Sequence, residues 1–199
     1  MNKIIKNTLI LAAITVVSGL VLGAAYEVTK GPIAQTQAKQ KQEACQAVYP
    51  EADSFEAMDV DQKAAKEAIK KMGTNATVDE VYSAVMDGSE AGYVITVTDK
   101  DGYGGDIQFA MGIQDDGTLN GISILSIGET AGLGMRANTD AFKDQFKDKK
   151  VDKFEYTKTG ATADNQIDAL SGATITTNAM TNGVNAGLCA FQYEKGGNQ

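Results

Sequence analysis

The chain has 199 residues, 43% of them hydrophobic, and a formal net charge of −8: enough for one ordinary domain plus an appendage, with a packed core. Such acidity disfavours nucleic acid, whose phosphates need clustered Lys and Arg, and disfavours lying flat on anionic lipid. Histidine is absent, which excludes Ser-His-Asp and Cys-His nucleophiles and every His-ligated metal.

The first element is apolar. Lys3 and Lys6 precede a run from Asn7 to Tyr26 with no charged residue, centred on LILAAITVVSGLVLGAA. That is about the ~20 residues a helix needs to cross a bilayer. With the lysines before the run and Glu27 the first charge after it, the positive-inside rule predicts a cytoplasmic N-terminus and an extracytoplasmic main domain. A cleaved signal peptide is the rival reading, since Gly23-Ala24-Ala25 offers small residues for cleavage. The apolar stretch is longer than the ~7–15 residues of a signal h-region, so an uncleaved anchor over 1–28 is preferred.

Residues 29–75 are expected to be a helical neck and connection. IAQTQAKQKQEACQAV contains no Gly or Pro and is rich in helix formers; Pro50 ends it. Asp61 to Met72 repeats Ala64, Ala65, Ala68, Ile69 and Met72 at helical spacing before Gly73. Residues 76–199 are predicted to form the main domain. Val78 to Met86 and Tyr93 to Thr98 flank Asp87-Gly88, and Ile107 to Ile113 and Leu119 to Ile127 flank Asp115-Asp116-Gly117. This predicts an antiparallel meander. Ala141 to Lys150 reads as a short helix with Phe142 and Phe146 at i and i+4. From Thr174 to Tyr193, Met180, Val184, Leu188 and Phe191 share one helical face. The fold class is therefore α+β, an antiparallel sheet flanked by helices. Cys45 and Cys189 belong to no CxxC motif and cannot complete a zinc or iron–sulfur site. They read either as one disulfide or as two small buried apolar side chains.

Asp168-Ala169-Leu170-Ser171-Gly172-Ala173-Thr174, just before the last helix, carries the chemistry. Small residues let backbone approach a bulky anion. The hydroxyls of Ser171, Thr174, Thr176 and Thr177 can donate to phosphate oxygens, and the helix start offers free N–H groups. The plain alternative is an ordinary Ser/Thr N-cap.

The DALSGAT string resembles the acceptor motif of the covalent-FMN family that includes RnfG and NqrC. There, Asp is followed by two residues, Ser or Thr, Gly, Ala and Thr, and a flavin transferase attaches FMN through a phosphodiester to the last threonine. Asp168, Ser171, Gly172, Ala173 and Thr174 match position by position. Gly128-Glu129-Thr130-Ala131-Gly132-Leu133-Gly134 resembles the family's second signature, with Ala131 where proline is common, and Gly102-Tyr103-Gly104-Gly105 resembles a third feature. The latter follows no βαβ unit, so it is not a dinucleotide fingerprint.

The resemblance implies an electron-transfer subunit, with no turnover expected of it alone. It would act within an Rnf-type complex that passes electrons between ferredoxin and NAD while moving Na⁺ or H⁺, beside other membrane subunits. An NqrC-like subunit, a flavin reductase acting alone and a cofactor-free scaffold are the alternatives. Thr174 is then the covalent tether. Tyr103, Leu133 and Leu170 are candidates to pack the ring, and Glu129 and Thr130 to hydrogen-bond its polar edge. Gly132, Gly134, Asp168, Thr176 and Thr177 complete the expected site. No metal is expected.

Overall fold

The structure, a computed structural model, describes residues 2–58 and 62–196. It contains two compact units, residues 1–40 and residues 41–199. Helix α1, Lys3–Val48, runs through the apolar segment and the predicted neck without interruption. Pro32 lies inside it, where its missing N–H removes one backbone bond. Among the described residues α1 is the one helix long and apolar enough to span a membrane, and the leucines, isoleucines and valines along its first half are exposed.

In the second unit, β1 (Ser54–Met58) is followed by α2 (Gln62–Lys71) and then β2 (Thr77–Met86), β3 (Ser89–Asp99), β4 (Ile107–Gln114) and β5 (Leu119–Ser126). The five strands pair antiparallel in chain order. The chain continues through α3 (Asp140–Lys143), β6 (Glu155–Thr157) and β7 (Gln166–Asp168) into α4, Thr174–Gly196.

The two sheet faces take different partners because strand side chains alternate. Tyr93, Ile95 and Val97 of β3 join Phe109 and Met111 of β4 in the larger core, with Met180, Val184, Leu188 and Phe191 of α4. Gly183 and Gly187, one turn apart, let α4 descend onto the sheet. A Cβ at Gly183 would stand 2.9 Å from the Phe109 ring, and one at Gly187 2.0 Å from the Met111 sulfur. The opposite face, through Ala84, Val94 and Ala110, receives Ala44, Cys45, Val48, Tyr49 and Ala52. There the backbone of Val48 lies on Gly112, whose Cβ would be 2.3 Å from the Val48 carbonyl oxygen.

The predicted meander and the last helix are present. Three features differ from the sequence expectation. β1 adds a fifth strand at the β2 edge, between the two helices expected within residues 29–75. The predicted helix over Ala141 to Lys150 ends early: α3 passes into a 3-10 turn, Asp144–Phe146, and Asp148 is left-handed at φ 55°. Lys149 then pairs with Leu119, which redirects the backbone hydrogen bonds from helix to sheet edge. Phe142 and Phe146 still meet edge to face at 5.7 Å. A two-stranded parallel pair, β6 with β7, is too short for sequence alternation to reveal. Cys45 and Cys189 are both free, Cys45 on the face opposite α4 and Cys189 on α4 itself.

Candidate functional site

Three loops meet at one end of the sheet because the meander brings them there: the β3–β4 loop, the segment after β5, and the turn before α4. They enclose a cavity of about 550 Å³ lined by Tyr103, Glu129, Thr130, Leu133, Gly134, Gly172, Ala173, Thr174, Ile175 and Thr176.

The turn before α4 is built by its own sequence. Gly172 adopts φ +77°, a left-handed conformation that side chains disfavour. The Ala173 N–H donates to the Leu170 carbonyl at 2.9 Å. Thr177, fully buried, closes the turn: its hydroxyl accepts from the Leu170 N–H at 3.0 Å and donates to the Ala173 carbonyl at 2.9 Å. Both directions of that hydroxyl are used within the chain. Thr174 is the first residue of α4, so the N–H groups of Thr174, Ile175 and Thr176, three residues that line the cavity, have no intrahelical acceptors.

The loop after β5 forms the opposite wall. Glu129 is 8% exposed, and its Oε1 accepts from the Gly104 N–H at 3.2 Å. A Cβ at Gly134 would lie 2.4 Å from Glu129 Oε2 and 2.6 Å from the Thr176 hydroxyl oxygen; only glycine lets these two polar side chains close around that backbone. A 3-10 turn, Gly134–Asn138, follows. From it Arg136 donates to the Leu133 carbonyl at 3.4 Å and to the Ser171 carbonyl, linking the two walls.

Of the residues expected from sequence, Tyr103, Glu129, Thr130, Leu133, Gly134, Gly172, Ala173, Thr174 and Thr176 line the cavity. Five do not. Thr177 closes the turn from inside, and Leu170 packs against the core. Asp168 lies on β7, where its carboxylate accepts from the Ala161 N–H at 2.7 Å. Gly132 turns the loop at φ +77°, and Ser171 offers its carbonyl to Arg136. Sequence reasoning missed Ile175 and Arg136. Ile175 falls off the buried stripe of α4 and so escaped the search for core positions. Arg136 is the single arginine of the chain, a signal that was available. The cavity has no histidine or cysteine, and among the described residues no acidic or thiol cluster could hold a metal.

The cavity thus combines a helix start with the Thr174 hydroxyl and the apolar side chains of Tyr103, Leu133 and Ile175. The FMN-binding domain family matches residues 102–188, and the RnfG N-terminal region matches residues 1–48. A component of the Na(+)-translocating ferredoxin:NAD(+) oxidoreductase complex of Acetobacterium woodii is 34% identical over 95% of this chain and 92% of its own. Its counterpart in the proton-translocating ferredoxin:NAD(+) oxidoreductase complex of Clostridium ljungdahlii is 33% identical over 92% and 89%. The chain belongs to the RnfG family.

The fold is shared with a component of the Na(+)-translocating NADH-quinone reductase of Parabacteroides distasonis. That crystal structure aligns at TM-score 0.56 and 20% identity over 81% of this chain and 94% of its own. NqrC of Shewanella oneidensis aligns at TM-score 0.51 and 20% identity over 74% and 70%.

The pocket fits an FMN. Its volume lies within the ~300–1,000 Å³ usual for small-molecule sites. Thr174 and the first turn of α4 suit the phosphate, and Tyr103, Leu133 and Ile175 suit a flat apolar ring.

Proposed function

We propose that this chain carries FMN as a phosphodiester on Thr174 and relays electrons within a ferredoxin:NAD(+) oxidoreductase complex like those of its relatives. One observation carries the reading. Among the described residues of the compact unit, the three most exposed large apolar side chains are Tyr103 (71%), Ile175 (52%) and Leu133 (44%), and all three line the cavity that holds Thr174. An apolar rim left bare beside the Thr174 hydroxyl at a helix start is the complement of a ring tethered through a phosphate.

FMN supplies the electron chemistry when bound. The chain positions it. Thr174 gives the tether oxygen: its hydroxyl attacks the phosphorus of a flavin donor in a flavin transferase, loses its proton, and displaces the donor's leaving group as the new P–O bond forms. The helix start stabilises the phosphodiester charge. The rim excludes water from one ring face. Glu129, fixed by Gly104 and packed on Gly134, holds the two glycine loops at a set separation. The tether keeps the ring at high effective concentration against its electron partner. α1 anchors the chain in the membrane beside other subunits, with Lys3 and Lys6 on the cytoplasmic side and the FMN domain outside.

The test is attachment. Coexpressed with a flavin transferase, the wild type should gain the FMN mass and fluoresce on a denaturing gel. Thr174→Val should lose both, and Thr174→Ser should retain part. Ser171→Ala, which keeps the carbonyl held by Arg136, should remain modified. Retention of covalent flavin by Thr174→Val would sink the assignment.

A further inference from the structure

We infer that Arg136 is the positioning residue of the flavin site: its guanidinium clamps the turn that bears Thr174 to the loop that bears Leu133, and thereby fixes the seat of the ring. This rests on the FMN reading above.

The argument starts from the donor. A guanidinium presents several N–H groups in a rigid fork and always carries its charge, so it can bridge two acceptors that an ammonium would reach only one at a time. Arg136 Nε donates to the Leu133 carbonyl at 3.4 Å, and Nη2 donates to the Ser171 carbonyl. The Leu133 carbonyl also accepts from the Arg136 backbone N–H at 3.2 Å, so the side chain folds back onto its own turn before reaching across.

The base of the clamp is firm. Both the Leu133 and Met135 N–H groups donate to the Thr130 carbonyl, and Ala137 beside Arg136 is fully buried. At the far end, Leu170 and Ala173 are tied down by Thr177, and Ser171 and Gly172 between them carry the exposed part of the turn. Gly172 is left-handed, and the contact from the opposite wall is Leu133 Cδ2, 3.2 Å from where a Gly172 Cβ would stand.

No carboxylate among the described residues pairs with Arg136, although the chain carries 26 acidic residues. The guanidinium is committed to two carbonyls, one on each wall. Severing it frees Ser171 and Gly172 to move away from Leu133 and loosens the Ala173 N–H bond that closes the turn, while the hydroxyl of Thr174, on the helix, stays in place. The flavin should therefore remain attached but sit loosely.

The experiment compares Arg136→Gln and Arg136→Lys with the wild type in the full chain, flavinylated and unflavinylated. In the flavinylated protein, covalent flavin per chain should be unchanged. Iodide quenching of flavin fluorescence should rise at least roughly two-fold in Arg136→Gln, with lower anisotropy, as the ring leaves its wall and meets solvent. Arg136→Lys should lie between, because one ammonium cannot hold both carbonyls.

In the unflavinylated protein, exchange of the Ala173 amide, which donates to the Leu170 carbonyl, should accelerate roughly ten-fold, the size expected for about one hydrogen bond's net stability. Exchange in β3 and β4 should not change. Unchanged exchange of the Ala173 amide in Arg136→Gln overturns the clamp, whether or not flavin is present. Normal wild-type exchange behaviour with no covalent flavin would instead count against the FMN reading alone. Full rescue by Arg136→Lys would show that charge, not the fork, matters, and would also overturn the clamp.

Discussion

Asp99 ends β3 with its side chain fully enclosed, four residues before Tyr103 of the cavity rim. Its carboxylate accepts from the Asp101 N–H at 2.8 Å and from the Thr74 hydroxyl at 3.3 Å, which starts the β3–β4 loop in its course. Burial pushes the Asp99 carboxyl above its ordinary value, ahead of smaller contributions from those hydrogen bonds and from Asp101 and Asp106. The sign follows from linkage. Below the ordinary carboxyl range the group is protonated in both states and has no effect. As pH rises through about 3.9 the unfolded carboxyl ionises while the folded one resists, so stability falls until the folded value is passed. Asp99→Asn keeps one acceptor for the Asp101 N–H and adds a donor for Thr74. It should remove this fall. Urea unfolding at pH 4 and pH 7 should show the variant gaining on the wild type at the higher pH; a constant difference would mean that Asp99 does not titrate in this window.

At the scale of elements, α4 makes the core and the site at once. Its glycines set how near it lies to the sheet, and its first residue is the proposed tether. Gly187→Leu would drive a side chain into Met111, and Gly183→Leu into Phe109. Overpacking of this kind costs about 1–3 kcal/mol or more. Each should lower Tm by several degrees, at about 2–4 °C per kcal/mol for a domain of this size. Gln192→Leu, on the exposed side of α4, should be nearly silent. A Tm loss confined to Gln192→Leu would refute the packing.

Sequence alone revealed α4 because Met180, Val184, Leu188 and Phe191 repeat at helical spacing, and revealed β2 to β5 because their alternation and turn residues agree. β1 was hidden because SFEAM is short, mostly exposed and stabilised by pairing with β2, not by its own pattern. Most of the cavity lining was legible because glycines and hydroxyls announce close approach. The roles of Thr177 and Asp168 were not, since a hydroxyl or carboxylate aimed at a ligand and one aimed at its own backbone look alike until the turn is seen. Arg136 stands out in the sequence as the single arginine, but the two backbone carbonyls it reaches do not show there.

For the whole molecule, the division at Gln40/Lys41 makes a prediction of its own. A chain beginning at Lys41 retains the last turns of α1 that cover Ala84, Val94 and Ala110, whereas one beginning at residue 50 bares them. The first should unfold in a single cooperative transition and accept flavin on Thr174. The second should be markedly less stable in urea. Equal stability of the two would remove the α1 terminus from the core.

The placement of α4 after the sheet also has a bearing on biosynthesis. Strands pair with neighbours in chain order, so the meander can assemble as it emerges, with little loop closure to wait for. The part of its larger apolar face that α4 covers stays bare until the residues beyond 173 arrive. In that interval Phe109, Met111 and Ile95 have no lid, and a ribosome stall there presents a sticky surface to other nascent chains. The covering event and the completion of the threonine turn are one and the same step. A chain that has hidden its hydrophobic face has thereby also built the proposed acceptor, so quality control that clears greasy intermediates would also clear those in which that turn is unfinished.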